Sequence, residues 1–217
     1  MTGEKIDNLV VNKGSSFEQK SINEPNRRNW LIACGVTGGV AAASTAVPFL
    51  TSMAPSEKAK SAGAPVEVDV SDIPAGGVKI VEWRGKPVWI VRRTSEMLES
   101  LEGLDSKLAD PNSDRKTYPT PTYAKNKHRS IKPELLVTVG ICSHLGCSPV
   151  SKFEKGSKSN LGADWPGGFL CPCHGSTFDI AGRVYANKPA PDNLEVPRHM
   201  YLAENKLVIG KDEKGEG

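Results

Sequence analysis

Cys142-Ser143-His144-Leu145-Gly146-Cys147 and Cys171-Pro172-Cys173-His174-Gly175-Ser176 contain four of the chain's five cysteines and two of its four histidines. The first stretch runs Cys-x-His and the second Cys-x-x-His. Such crowding of thiols and imidazoles marks a metal centre. Two thiolates and two neutral imidazoles hold one zinc ion tetrahedrally. They equally hold a two-iron, two-sulfide cluster, with both thiolates on one iron and both imidazoles on the other. Spacing alone leaves both open, although zinc sites more often use Cys-x-x-Cys than Cys-x-His pairs.

Cys-x-His-x-Gly-Cys followed by Cys-Pro-Cys-His-Gly-Ser resembles the Rieske iron–sulfur subunit of the cytochrome bc complex, ubiquinol–cytochrome c reductase. The likeness extends more weakly over most of the chain. It implies a mainly β fold: an antiparallel Rieske-type β-sandwich head with two cluster-binding loops, about residues 141–148 and 170–178, preceded by one N-terminal transmembrane helix. It also implies one 2Fe-2S cluster held by Cys142, His144, Cys171 and His174, and a Cys147–Cys173 disulfide clamping the loops. Gly146 and Gly175 complete the two boxes. Ser176 matches the family serine whose hydroxyl donates to a bridging sulfide, and such contacts tune the potential. Phe178 stands where many high-potential members carry a tyrosine that donates to a ligand sulfur. Pro189-Ala190-Pro191 matches a proline loop that closes over the cluster from a third side, with Lys188 in place of the usual glycine.

Working outward toward the N-terminus, residues 51–65 are small and polar, without apolar periodicity, and read as a linker. In the resembled family this position is a hinge. Before it, Asn29 to Ser56 contains no charged residue. Trp30 to Leu50 is about 21 residues, enough as a helix to cross a hydrocarbon core of roughly 30 Å, and longer than the usual apolar core of a secretory signal. Residues 29–50 are therefore read as a retained transmembrane anchor, with Gly35 and Gly39 suited to close helix packing in lipid. Cys34 within it reads as a small apolar residue.

Arg27-Arg28 resembles a twin-arginine export signal, with departures at Asn26, Trp30 and after Leu31. Positive residues before the helix place residues 1–28 in the cytoplasm. The head then lies across a bacterial inner membrane in the periplasm, a compartment that permits disulfides. Met1 to Asn26 itself is polar and without periodicity, and reads as a disordered tail.

Residues 66–217 are expected to form the head. Val66–Val70, Val78–Trp83 and Lys86–Val91 alternate with period two and read as strands. Met97, Leu98, Leu101, Leu104 and Leu108 predict an amphipathic helix over Thr94–Leu108, capped by Thr94 or Ser95. Residues 109–132 form a long polar loop with three prolines, expected to pack against a partner. Strands are expected at Glu134–Ile141, Phe169–Leu170, Thr177–Ile180, Arg183–Tyr185, Leu194–Val196, Met200–Ala203 and Lys206–Ile209, before a mobile tail.

The net charge of +3 comes without any basic cluster interleaved with aromatics, so nucleic-acid binding is not expected. No serine nucleophile, phosphate loop or paired catalytic carboxylates stand out. The resemblance implies an electron-transfer subunit that oxidises quinol by coupled loss of a proton and an electron, with His144 and His174 as the catalytic imidazoles. The electron passes to a c-type cytochrome, contributing to proton translocation. Implied partners are cytochrome b, a c-type cytochrome, quinol and membrane lipid, within a homodimeric complex and not as an enzyme alone. Alternatives are the Rieske subunit of an arsenite-oxidase-like periplasmic oxidoreductase, a Rieske ferredoxin or oxygenase component, and a zinc-stabilised binding domain. The ferredoxin class generally lacks the extra cysteines and the anchor.

Overall fold

The computed structural model describes residues 24–56 and 63–214, with side chains from residue 26 onward. The expected tail before residue 24, residues 57–62 of the linker and the last three residues lie outside the described residues. The chain divides into two compact units, Met1–Pro55 and Ser56–Gly217.

Among its described residues the first unit is one helix, α1 (Glu24–Ser52), of 29 residues. At 1.5 Å per residue it is about 44 Å long. Its segment Asn26–Ser52 is long and apolar enough to cross a membrane. Apolar side chains point outward all round it, Trp30, Val36, Val40 and Phe49 among them. A helix apolar on every side needs an apolar solvent or a packed interior. The hydroxyls of Thr37, Ser44 and Thr45 each return to a backbone carbonyl one turn earlier, so all three are paired within the helix. Helical structure extends beyond the expected anchor at both ends, taking in Arg27 and Arg28 as well as Thr51 and Ser52.

The second unit contains nine antiparallel strands among the described residues. They are β1 (Val66–Asp69), β2 (Val78–Trp83), β3 (Lys86–Arg92), β4 (Leu135–Val139), β5 (Val150–Lys152), β6 (Gly168–Cys171), β7 (Ser176–Asp179), β8 (His199–Ala203) and β9 (Lys206–Ile209). They form three sheets, β1-β9-β8, β2-β3-β4 and β5-β6-β7. Alternation of side chains explains how the sheets stack. In β3, Val88 and Ile90 join an apolar cluster with Val68, Val70, Leu207 and Ile209 from β1, its flank and β9. The intervening Trp89 and Val91 join a second cluster with Phe169, Phe178 and Ile180. The sheet β2-β3-β4 is thus apolar on both faces and has one other sheet against each. This is the mainly β, antiparallel architecture expected.

Four details differ from the sequence reading. The helix expected over Thr94–Leu108 is only α2 (Ser95–Glu99), capped by the Thr94 hydroxyl accepting from the Met97 N–H. The chain then turns at Gly103 (φ 70°), and Leu101, Leu104 and Leu108 are buried from turns and a 3-10 segment instead. Residues 183–185 form isolated bridges, Val184 with Phe178 and Tyr185 with Leu108. Residues 194–196 form no strand, yet the Glu195 carbonyl accepts from both the Val139 N–H and the Thr138 hydroxyl. Strand β5 was not expected, because it is three residues long and Val150 and Ser151 are exposed.

His199 in β8 is buried, with Nδ1 2.8 Å from the Pro197 carbonyl and Nε2 without a hydrogen bond. Burial lowers its pKa from 6.5 to about 4. Between those two values the unfolded chain binds a proton that the folded chain refuses, so stability falls as the pH drops through that window. The full penalty is roughly 3 kcal/mol. Denaturant unfolding from pH 7 to pH 4 should show this loss, and His199→Leu should remove it.

Candidate metal centre

The first metal loop follows β4, where Gly140 and Ile141 carry the chain to Cys142, and ends before β5. The second is the turn of the β6–β7 hairpin, whose register pairs Cys171 with Ser176. Both are closed in the same way. The Gly146 N–H donates to the Cys142 carbonyl at 3.1 Å, and the Gly175 N–H to the Cys171 carbonyl at 3.0 Å. Both glycines have positive φ, 81° and 75°, in otherwise open space. They are required by backbone conformation rather than by room.

Cys147 and Cys173 form a disulfide across the two loops. Cys147, Cys171 and Cys173 sulfurs lie within 4.8 Å of one another, but two of the three are committed to that bond. The free thiols at the site are Cys142 and Cys171, both buried. Burial pushes the Cys142 thiol up; the His144 backbone N–H and the Ser176 hydroxyl oppose the shift, and the neighbouring Cys171 adds to it. A metal must supply the charge that stabilises such thiolates. The rings of His144 and His174 stand 4.7 Å apart and nearly perpendicular. His144 is half-buried and His174 exposed. The site therefore has sulfur inside and imidazole outside.

Residues 189–195 form its third side. The buried Ala190 donates its N–H to the Ser176 Oγ at 2.9 Å, while Pro189 and Pro191 are exposed. Lys188 is also exposed. Phe178 lies two residues after Ser176 on β7, hence on the same strand face. It is fully buried in the apolar cluster that includes Cys142 and Cys171.

Three contributors escaped the sequence reading. Ser143, a mere spacer within the first box, donates its hydroxyl to the Asp192 carbonyl at 2.6 Å and accepts from the Asp192 N–H at 3.2 Å. Asn193 accepts from the Val184 N–H and donates to the Asp110 carbonyl and the Ser113 hydroxyl. Arg129 donates to the Leu194 carbonyl and to the turn after β7. The loop 109–132, expected to pack against a partner, buries Asp110, Ser113, Thr120 and Arg129 within the head itself.

The ubiquinol–cytochrome c reductase iron–sulfur subunit of Allochromatium vinosum is 51% identical over 193 residues, covering 89% of this chain and 92% of that protein. The chain belongs to this Rieske iron–sulfur subunit family. The Rieske 2Fe-2S domain matches residues 120–204, and the ubiquitinol–cytochrome c reductase Fe-S subunit TAT signal matches residues 17–56. The subunit of the same name from Bradyrhizobium diazoefficiens is 37% identical over 192 residues, covering 88% of this chain and 97% of its own length. A chain of a hyperthermophilic respiratory Complex III aligns at 26% identity with a TM-score of 0.43, covering 81% of this chain and 97% of that one.

Family membership sets aside zinc, the oxygenase component and the arsenite-oxidase-like subunit. The Rieske subunit is an electron-transfer component of a cytochrome bc complex, with cytochromes as its partners and one 2Fe-2S cluster as its cofactor. The donor set fits that group in kind: the two loops carry two buried free thiols and two neighbouring imidazoles, and the remaining pair of cysteines is spent on a bridge.

The bridge closes a segment with a sequence separation of 26 residues. Chain-entropy arguments assign such a closure about 3 kcal/mol. Replacing Cys147 and Cys173 together by serine should lower the unfolding free energy by that order. The loss would be read from the midpoint and slope of denaturant unfolding together, since the freed unfolded chain is more expanded, and an unfolding free energy equal to the wild type would contradict it.

Proposed function

We propose that Cys142 and Cys171 bind one iron of the cluster and His144 and His174 the other, and that the two imidazoles form the face at which quinol is oxidised. The observation that carries this is the ordering of the donors, with two free sulfurs buried and the paired imidazoles nearer the surface. When bound, the cluster supplies a one-electron acceptor whose potential is raised by its two neutral ligands. Each imidazole would hold the cluster through one ring nitrogen and keep the other for a proton. Once it has lost its own proton, that second nitrogen would accept the proton of a quinol hydroxyl as the electron leaves. The Ser176 hydroxyl favours the more negative reduced form, and residues 189–191 exclude water from the third side.

The helix α1 crosses a bacterial inner membrane once, with Arg27 and Arg28 on the cytoplasmic side and the head in the periplasm. Residues 51–65 act as the hinge between anchor and head. The subunit works inside a homodimeric complex, where cytochrome b completes the quinol site and a c-type cytochrome takes the electron. The coupled release of proton and electron contributes to proton translocation.

Electron paramagnetic resonance of the dithionite-reduced protein tests the ligand assignment, together with iron, zinc and sulfide analysis. A rhombic signal with average g below the free-electron value and equal iron and sulfide is expected. Zinc without sulfide would overturn it. Phe178 has no hydroxyl to donate to the neighbouring sulfur. A hydrogen bond that favours the reduced form by about 1 kcal/mol corresponds to a rise of roughly 40 mV. Redox titration of Phe178→Tyr should show that rise, and an unchanged potential would rule out the missing hydrogen bond as a determinant.

A further inference from the structure

Three arginines are buried behind the metal loops: Arg93 is 3% exposed, Arg129 1% and Arg183 1%. Arg183 pairs with the buried Asp179 through Nε at 2.7 Å. Arg93 donates to the His128 and Ile180 carbonyls and to the Ser130 hydroxyl. Arg129 joins two segments beside the metal loops. Among the described residues its guanidinium donates to uncharged acceptors: the carbonyls of Ala181 at 3.0 Å, Gly182 at 3.2 Å and Leu194 at 2.8 Å, and the Thr120 hydroxyl at 3.2 Å.

A buried cation is costly to desolvate, and an apolar side chain of similar volume often serves stability as well. An apolar side chain cannot hold three carbonyls from two segments at once. Those segments border the metal site. Ala181 and Gly182 form the turn that follows β7, and Leu194 follows the proline loop. Leu194 also donates its own N–H to the Gly182 carbonyl at 2.8 Å. The guanidinium fork therefore locks a contact that already exists between these segments.

From Leu194 the chain runs back to Ala190, whose N–H donates to the Ser176 Oγ at 2.9 Å. That bond occupies a lone pair of the hydroxyl and leaves its proton free to turn toward the metal loops, where the hairpin register sets Ser176 opposite Cys171. Displacing residues 189–195 would free the hydroxyl to turn away. We propose that Arg129 is a positioning residue for the electron-transfer site, holding the proline loop so that Ala190 orients the Ser176 hydroxyl. This rests on the placement of Ser176 beside the cluster given under Proposed function.

The test is a double-mutant cycle on the assembled, membrane-bound complex, read as the reduction potential of the cluster. Ser176→Ala should lower it. Arg129→Lys keeps the charge and loses the fork. It should lower the potential by the equivalent of about a threefold to tenfold change in the oxidised-to-reduced ratio, at 59 mV per tenfold for one electron. With Ser176→Ala already present, Arg129→Lys should produce no further shift. An equal shift with and without the serine would overturn the proposal, as would a lowered potential in Ser176→Ala with none in Arg129→Lys.

An unchanged potential in Ser176→Ala would overturn the placement of Ser176, and this proposal with it. Should Arg129→Lys fail to assemble, Thr120→Val removes one anchor and leaves the guanidinium in place. It should give a smaller fall, again only when Ser176 is present, and no fall would overturn the proposal.

Discussion

A strand that is apolar on both faces can lie only in the interior, and β3 is such a strand. Val88 and Ile90 face one apolar cluster while Trp89 and Val91 face the other. This requires a sheet on each side of β2-β3-β4, and it fixes where the metal loops can be. The first loop leaves the central sheet from the end of β4. The second is the hairpin of the sheet that covers the Trp89 face. Trp89 packs on Phe169 of β6 with ring centroids 5.4 Å apart, so the two loop-bearing strands share one apolar cluster. The metal site inherits its geometry from the packing between two sheets.

That packing places two thiols inside and leaves two imidazoles at the rim. The third side is made from a segment without regular structure, which must therefore be held by side chains. Ser143 holds it to the first loop and Ser176 to the second. Asn193 and Arg129 hold it to the long loop 109–132. An irregular segment has no ladder of its own to satisfy its backbone groups, so each buried one needs a separate partner. The polar side chains of this region are that set of partners.

Much of this was legible in the sequence. The two hexapeptides gave the donor types, and period-two alternation gave most of the strands. Both signals are local, because ligand spacing and strand alternation are written in consecutive residues. What escaped was long-range. Arg129 is one of 28 basic residues, and nothing near it in sequence reveals that its acceptors are carbonyls more than fifty positions away. Ser143 looked like a spacer because its partner, Asp192, lies across the site. The segments 183–185 and 194–196 carry apolar residues at strand-like spacing, but they meet β7 and β4 through too few backbone bonds to extend a ladder. After Thr94 the leucines fit a helical period, yet Leu101, Leu104 and Leu108 reach the core from successive turns.

The Cys147–Cys173 bridge spans a sequence separation of 26 residues that includes β5, β6 and the irregular stretch between them. The entropic cost of closing a loop grows only with the logarithm of its length, so doubling it adds about 0.6 kcal/mol. The stretch between β5 and β6 can therefore lengthen or shorten between relatives at little thermodynamic cost, while the cysteines at either end stay fixed. Covalent closure makes this part of the head tolerant of insertion, a place where a lineage can add new surface beside the metal loops without disturbing the donors that hold the metal.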